Sequence, residues 1–113
     1  MVFFEYQILA QAFYDDATNH LLFTVPAGLS LVVSKLNIAS LGGDCYFRVF
    51  AVPSGQELEE KHTIAFDVLL GVREATAVLQ GATLIEGDSI YVHAIDGVAF
   101  SLFGKLVPVT RVP

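Results

Sequence analysis

Apolar and polar side chains alternate with a period of two along most of this chain. Val32, Ser34, Leu36 and Ile38 fall on one side of a segment whose other side carries Val33, Lys35 and Asn37. Cys45, Phe47, Val49 and Ala51 alternate with Tyr46, Arg48, Phe50 and Val52. Ile90, Val92 and Ala94 oppose Ser89, Tyr91, His93 and Ile95; Val98, Phe100, Leu102 and Leu106 oppose Ala99, Ser101, Phe103 and Lys105. Successive side chains of a strand point to opposite faces, so each pattern predicts a strand with one buried face. No window carries the stripe of an amphipathic helix.

Turn residues divide the pattern at Asp15-Asp16-Ala17-Thr18-Asn19, Pro26-Ala27-Gly28, Gly42-Gly43-Asp44, Pro53-Ser54-Gly55, Gly81-Ala82, Glu86-Gly87-Asp88 and Asp96-Gly97. Pro26 has no N–H to give a ladder, and Gly28 accepts positive φ, so the chain breaks and reverses there. Asp96-Gly97 between two alternating runs predicts a two-residue type I′ hairpin. Residues 56–66 fit a short helix or a polar loop, and the loop is favoured because strand resumes at Thr63. About eight strands with turns every ~8–12 residues predict an all-β fold. The expectation is a single-domain antiparallel β-sandwich over residues 1–113, with jelly-roll or Greek-key topology. Residues 1–9, rich in Phe and Tyr, read as an N-terminal arm or edge strand.

Composition changes the picture of the surface. Hydrophobic residues make up 54% of the chain and charged residues 16%, against about 25% charged in an ordinary soluble domain. Either a membrane or other protein subunits must cover the excess. The apolar runs are too short for a membrane-spanning helix of ~20 residues, and residues 1–10 lack the basic start of a signal peptide. Subunit packing is therefore expected. The net charge of −6 leaves no basic stripe for direct nucleic-acid binding. Cys45, alone and on an alternating segment, reads as a core residue.

The second faces carry Tyr46, Phe50, Val52, Tyr91, Ile95 and Phe103, where a solvated sheet carries Lys, Glu and Thr. Large exposed apolar patches mark interfaces. Phe3, Phe4 and Tyr6 are the first candidate contacts, followed by Tyr46, Phe50, Tyr91 and Phe103. The alternative is that these side chains lie under loops or across a second sheet.

No catalytic or metal constellation emerges. His20, His62 and His93 stand in separate segments, without the spacing of metal ligands. The cupin pattern of two histidines two apart followed by a glutamate is missing. The serines lack a Gly-x-Ser-x-Gly elbow, and the glycine-bearing stretch 81–87 lacks the lysine and helix of a phosphate loop. No enzyme activity, cofactor or metal is expected.

Phe23-Thr24-Val25-Pro26-Ala27-Gly28, followed by the strand through Val33 to Ile38, resembles a motif of small β-sandwich proteins from tailed bacteriophage particles. Leu84-Ile85-Glu86-Gly87-Asp88-Ser89-Ile90-Tyr91-Val92 and Phe100-Ser101-Leu102-Phe103-Gly104 are similar to the closing segments of the same proteins. The likeness covers roughly residues 20–106. It implies a non-enzymatic virion structural protein, assembled in the host cytoplasm and located in the virion. Within that class a capsid decoration (cement) protein is favoured. Its expected partners are copies of itself and other virion proteins, either the major capsid protein or tail and connector proteins. The second expectation is a tail- or fibre-associated module that binds a receptor or carbohydrate.

Overall fold

The computed structural model describes residues 5–109. Seven strands make one antiparallel sheet: β1 (Gln7–Thr24), β2 (Leu29–Ser40), β3 (Cys45–Val52), β4 (Thr63–Leu70), β5 (Ala75–Val78), β6 (Thr83–Leu84) and β7 (Ser89–Pro108). The spine is β7. Along one side it pairs with β1, from Gln7 opposite Gly104 to Thr24 opposite Ser89. Along its other side it pairs with β2 and then β3 in line, Ser40 opposite Val98 and Tyr46 opposite Ile95. β3 passes the sheet on to β4, and β2 passes it on to β5 and β6. The result is a single-domain sheet curled into a half-barrel.

Alternation explains the inner face. Phe47 and Val49 of β3, Ile90, Val92, Val98, Phe100 and Leu102 of β7, and Leu36 and Ile38 of β2 are all buried in one core, with Cys45 among them. The pattern expected for β2 holds only in its second half. Leu31 and Val33 point inward, and a register shift between Val33 and Lys35 then moves the inward face to Leu36, Ile38 and Ser40. The bulge leaves Ser34 exposed and Val32 half-buried.

Two expected turns do not end strands. Asp15 to Asn19 lies inside β1, which takes up register shifts on both sides of Asp16 and a positive φ of 56° at Ala17. Asp96 and Gly97 do have positive φ, 71° and 79°, as a type I′ turn requires, yet β7 runs through them. The local dihedrals were readable in the residues. The hairpin is overruled because β1 on one side and β2–β3 on the other hold β7 both before and after the pair. These two lost breaks give fewer, longer strands than the eight expected.

The Pro-Ala-Gly turn forms as expected. The Leu29 N–H donates to the Pro26 carbonyl at 3.2 Å, and Gly28 has φ of 81°, the positive value a type II turn needs at that position. The turn is tied to the Glu86-Gly87-Asp88 loop. The Gly28 N–H donates to Glu86 Oε2 at 2.8 Å, while Val25 exchanges backbone bonds with Gly87 and Asp88. The Asp88 carboxylate accepts from the N–H groups of Ser54 and Ile85, both at 2.9 Å. Three loops are thus joined at one end of the sheet, so Gly87-Asp88 has a structural role.

Candidate functional site

Surface side chains of the sheet, rather than a pocket of reactive groups, dominate the candidate site. Tyr6 is exposed, with Lys105 Nζ 4.9 Å from its ring centre. Phe103 is half-buried, with Lys35 Nζ 5.6 Å from its ring. These two aromatics lie near one end of β7, because Ile8 pairs with Phe103 and Gln7 with Gly104. Tyr46, Phe50 and Tyr91 gather on the other half of the sheet, where Phe50 sits directly opposite Tyr91. Tyr46 is exposed and Tyr91 half-buried. Phe3 and Phe4 lie outside the described residues.

Phe50 differs from its expected exposure, being only 5% accessible. It keeps the face predicted for it but lies off the main core, bordering the same depression as Leu58, Glu59 and Glu60 of the segment that follows β3. That segment is closed by a single 3-10 turn (Glu60–His62). The buried His62 ring secures it: Nδ1 accepts from the Glu59 N–H and Nε2 donates to Gln56 Oε1, both at 3.0 Å. Phe50 therefore serves its own fold, the loop-covered alternative.

Other exposed apolar side chains escaped the sequence reading. Phe13 and Leu21 project from β1, and Ile64, Phe66, Val68 and Leu69 from β4. Leu41, Val72 and Ile85 stand on connections. Both strands are edges: among the described residues β1 pairs only with β7, and β4 only with β3. Period two reveals that a segment is a strand. It does not reveal which strand will lack a neighbour.

A polar row crosses one half of the sheet between these edges. Asn19 on β1, His93 on β7, Arg48 on β3 and Asp67 on β4 follow one another in register or contact. His93 Nδ1 donates to Asn19 Oδ1 at 2.9 Å, which assigns the ring proton to Nδ1. Arg48 Nε donates to Asp67 Oδ1 at 2.6 Å, and its guanidinium lies 4.1 Å from the centre of the Phe66 ring. Burial, followed by the nearby Arg48 charge, pushes the His93 pKa below the usual imidazole value. The hydrogen bond from Arg48 holds the Asp67 carboxyl below the usual aspartate value.

The His93 shift has a definite sign. The unfolded chain takes up a proton near pH 6.5 while the folded chain resists it, so acidification through that value favours unfolding. Thermal melts from pH 8 down to pH 5 should show a falling midpoint. His93→Gln should flatten that fall. An equally steep fall in the variant would assign the effect to other groups.

A second histidine cluster resembles a catalytic arrangement and fails on geometry. His20 Nε2 lies 2.8 Å from both Asp16 carboxylate oxygens and 3.0 Å from Thr18 Oγ1. The Tyr14 ring stacks on the imidazole, with centroids 3.8 Å apart. A nucleophile–base–acid relay needs the hydroxyl and the carboxylate on opposite ring nitrogens; here both meet the same one. The cluster braces the β1 bulge. Among the described residues no group of three His, Cys, Asp or Glu side chains is placed to hold a metal ion.

No family model matches the chain, and no curated protein matches it.

Proposed function

We propose that this chain is a non-enzymatic structural protein of a tailed-phage virion, with capsid decoration as its role. It works by packing its sheet edges against neighbouring subunits. The observation that carries this reading is β4, an edge strand that exposes Ile64, Phe66, Val68 and Leu69 within six residues. Protected edges carry lysine, proline or inward-pointing charge; the single charge on β4, Asp67, is occupied by Arg48. The resemblance to phage β-sandwich proteins supports the reading that such an edge packs on a particle. It also implies a sandwich of jelly-roll or Greek-key path, which is supported by inner-face residues from both halves of the sheet sharing one core.

The test uses particles lacking the chain. Added protein should bind them saturably and raise their resistance to heat or chelation. Leu69→Asp, with an unchanged circular dichroism spectrum, should bind at least about tenfold more weakly, as expected when a charge is placed in an apolar contact. Wild-type protein that neither binds nor stabilises particles refutes the proposal.

A second reading has its own observation. Asn19, Arg48, Leu58, Glu59, Glu60 and Phe66 line a depression of about 310 Å³. Hydrogen-bonding groups beside an exposed aromatic ring suit a saccharide, and reproducible glycan-array hits lost in Phe66→Ala would favour a fibre-type binding module.

A further inference from the structure

A hollow of about 460 Å³ opens between β1, the β2–β3 connection and β7. Phe13 from β1 and Leu41 from the β2–β3 connection form its apolar sides, 50% and 62% exposed. Gly42 and Gly97 contribute backbone without side chains, and Asp15 and Asp96 stand at the rim. Neither carboxylate has a hydrogen-bond or ion-pair partner among the described residues. An open depression with two apolar side chains and two unneutralised carboxylates suits a side chain with an aliphatic stem and a cationic head, which is the chemistry of arginine or lysine.

The chain carries such a group close by. Of the five basic side chains among the described residues, Lys35 and Lys105 lie over aromatic rings, Arg48 pairs with Asp67, and Lys61 sits 3.9 Å from Glu59. Arg73 has no such partner among the described residues. It projects from the turn between β4 and β5, beside Val72, which is 60% exposed. That turn is held closed. The Gly71 N–H donates to Glu74 Oε1 at 2.5 Å, and the Glu74 N–H donates back to the Gly71 carbonyl at 3.2 Å. A knob already fixed in shape loses little freedom on docking.

Knob and hollow are neighbours on the fold. The Ser40 N–H donates to the Glu74 carbonyl at 2.8 Å, and the next two residues, Leu41 and Gly42, line the hollow. Two complementary patches side by side form a surface that complements itself about a twofold axis. We propose that two copies of this chain pair through this surface, the Val72-Arg73 knob of each entering the Phe13–Leu41 hollow of the other, with Arg73 between Asp15 and Asp96. The pairing deepens the proposed function by naming a second copy as one of the chain's partners.

Sedimentation velocity on charge-reversed chains tests it. Wild-type protein should sediment as a dimer at micromolar concentrations. Arg73→Glu and Asp15→Lys should each weaken self-association at least about tenfold. Mixed one to one, these two variants should form a heterodimer, because one contact then joins glutamate to lysine and the other is native. Leu41→Asp, a change at an exposed connection, should dissociate the pair with folding intact. A wild-type monomer at every concentration tested, variants that associate as tightly as wild type, or a mixture without heterodimer overturns the pairing. A monomer that still binds and stabilises particles overturns the pairing alone; a dimer indifferent to particles overturns the proposed function alone.

Discussion

Phe100→Ala should lower the unfolding free energy by about 3–5 kcal/mol, the range for removing a fully buried ring. The side chain has no exposed surface and stands on β7 between Ala12 of β1 and Ile38 of β2. Its ring lies tilted against Tyr14 at 6.3 Å. It is thus packed where all three long strands contribute, and strands joined on both sides cannot move in to fill the space. Urea titration should show the midpoint falling sharply at an unchanged slope. Phe103→Ala, on the opposite face and half-buried, serves as the control and should cost much less. Equal losses would mean that both faces of β7 are equally enclosed.

Gly104→Ala is the second large effect, expected to cost about 1–3 kcal/mol although it adds a single methyl group. A Cβ at this position would lie 2.6 Å from the Val32 carbonyl oxygen, with Leu31 Cδ1 at 3.1 Å and the Val33 Cα at 3.3 Å. A flexible side chain can swing away from such a clash. A carbonyl within a paired strand can move only by shifting the strand. The same glycine pairs with Val33 just before the β2 bulge, so a displacement there threatens the register that turns Leu36 and Ile38 inward. Thermal denaturation gives the loss, and hydrogen exchange at Lys35 to Ile38 should rise with it. A variant as stable as wild type would show that the strands separate at little cost.

The strands themselves were legible because period two is a local signal, and the expected alternation holds from Cys45 to Val49 in β3 and, His93 apart, from Ile90 to Leu102 in β7. The turn at Pro26 to Gly28 was equally legible, since one residue lacks an N–H and another takes positive φ. What escaped was nonlocal. Asp96-Gly97 has the positive φ values of a type I′ hairpin, but pairing on both sides of β7 keeps the strand going. The β2 bulge at Ser34 has no signature of its own and becomes necessary only against β7. Phe50 looked like a surface aromatic because nothing in β3 announces the loop that covers it. The exposed row on β4 was missed for a related reason: being last in a sheet is a property of the neighbours a strand lacks.

The irregularities that line up across β1, the β2–β3 connection and β7 have a mechanical meaning. Positive φ values at Ala17 of β1 and at Asp96-Gly97 of β7 fall at one level with the break between β2 and β3 at Leu41 to Asp44. Bulged positions bend and twist more readily than regular ladder. A molecule 52 Å long and 19 Å thick is therefore scored across its width, as two stiff panels joined by a crease. A load normal to the sheet would be taken up as rotation at that line, leaving the packing within each panel undisturbed.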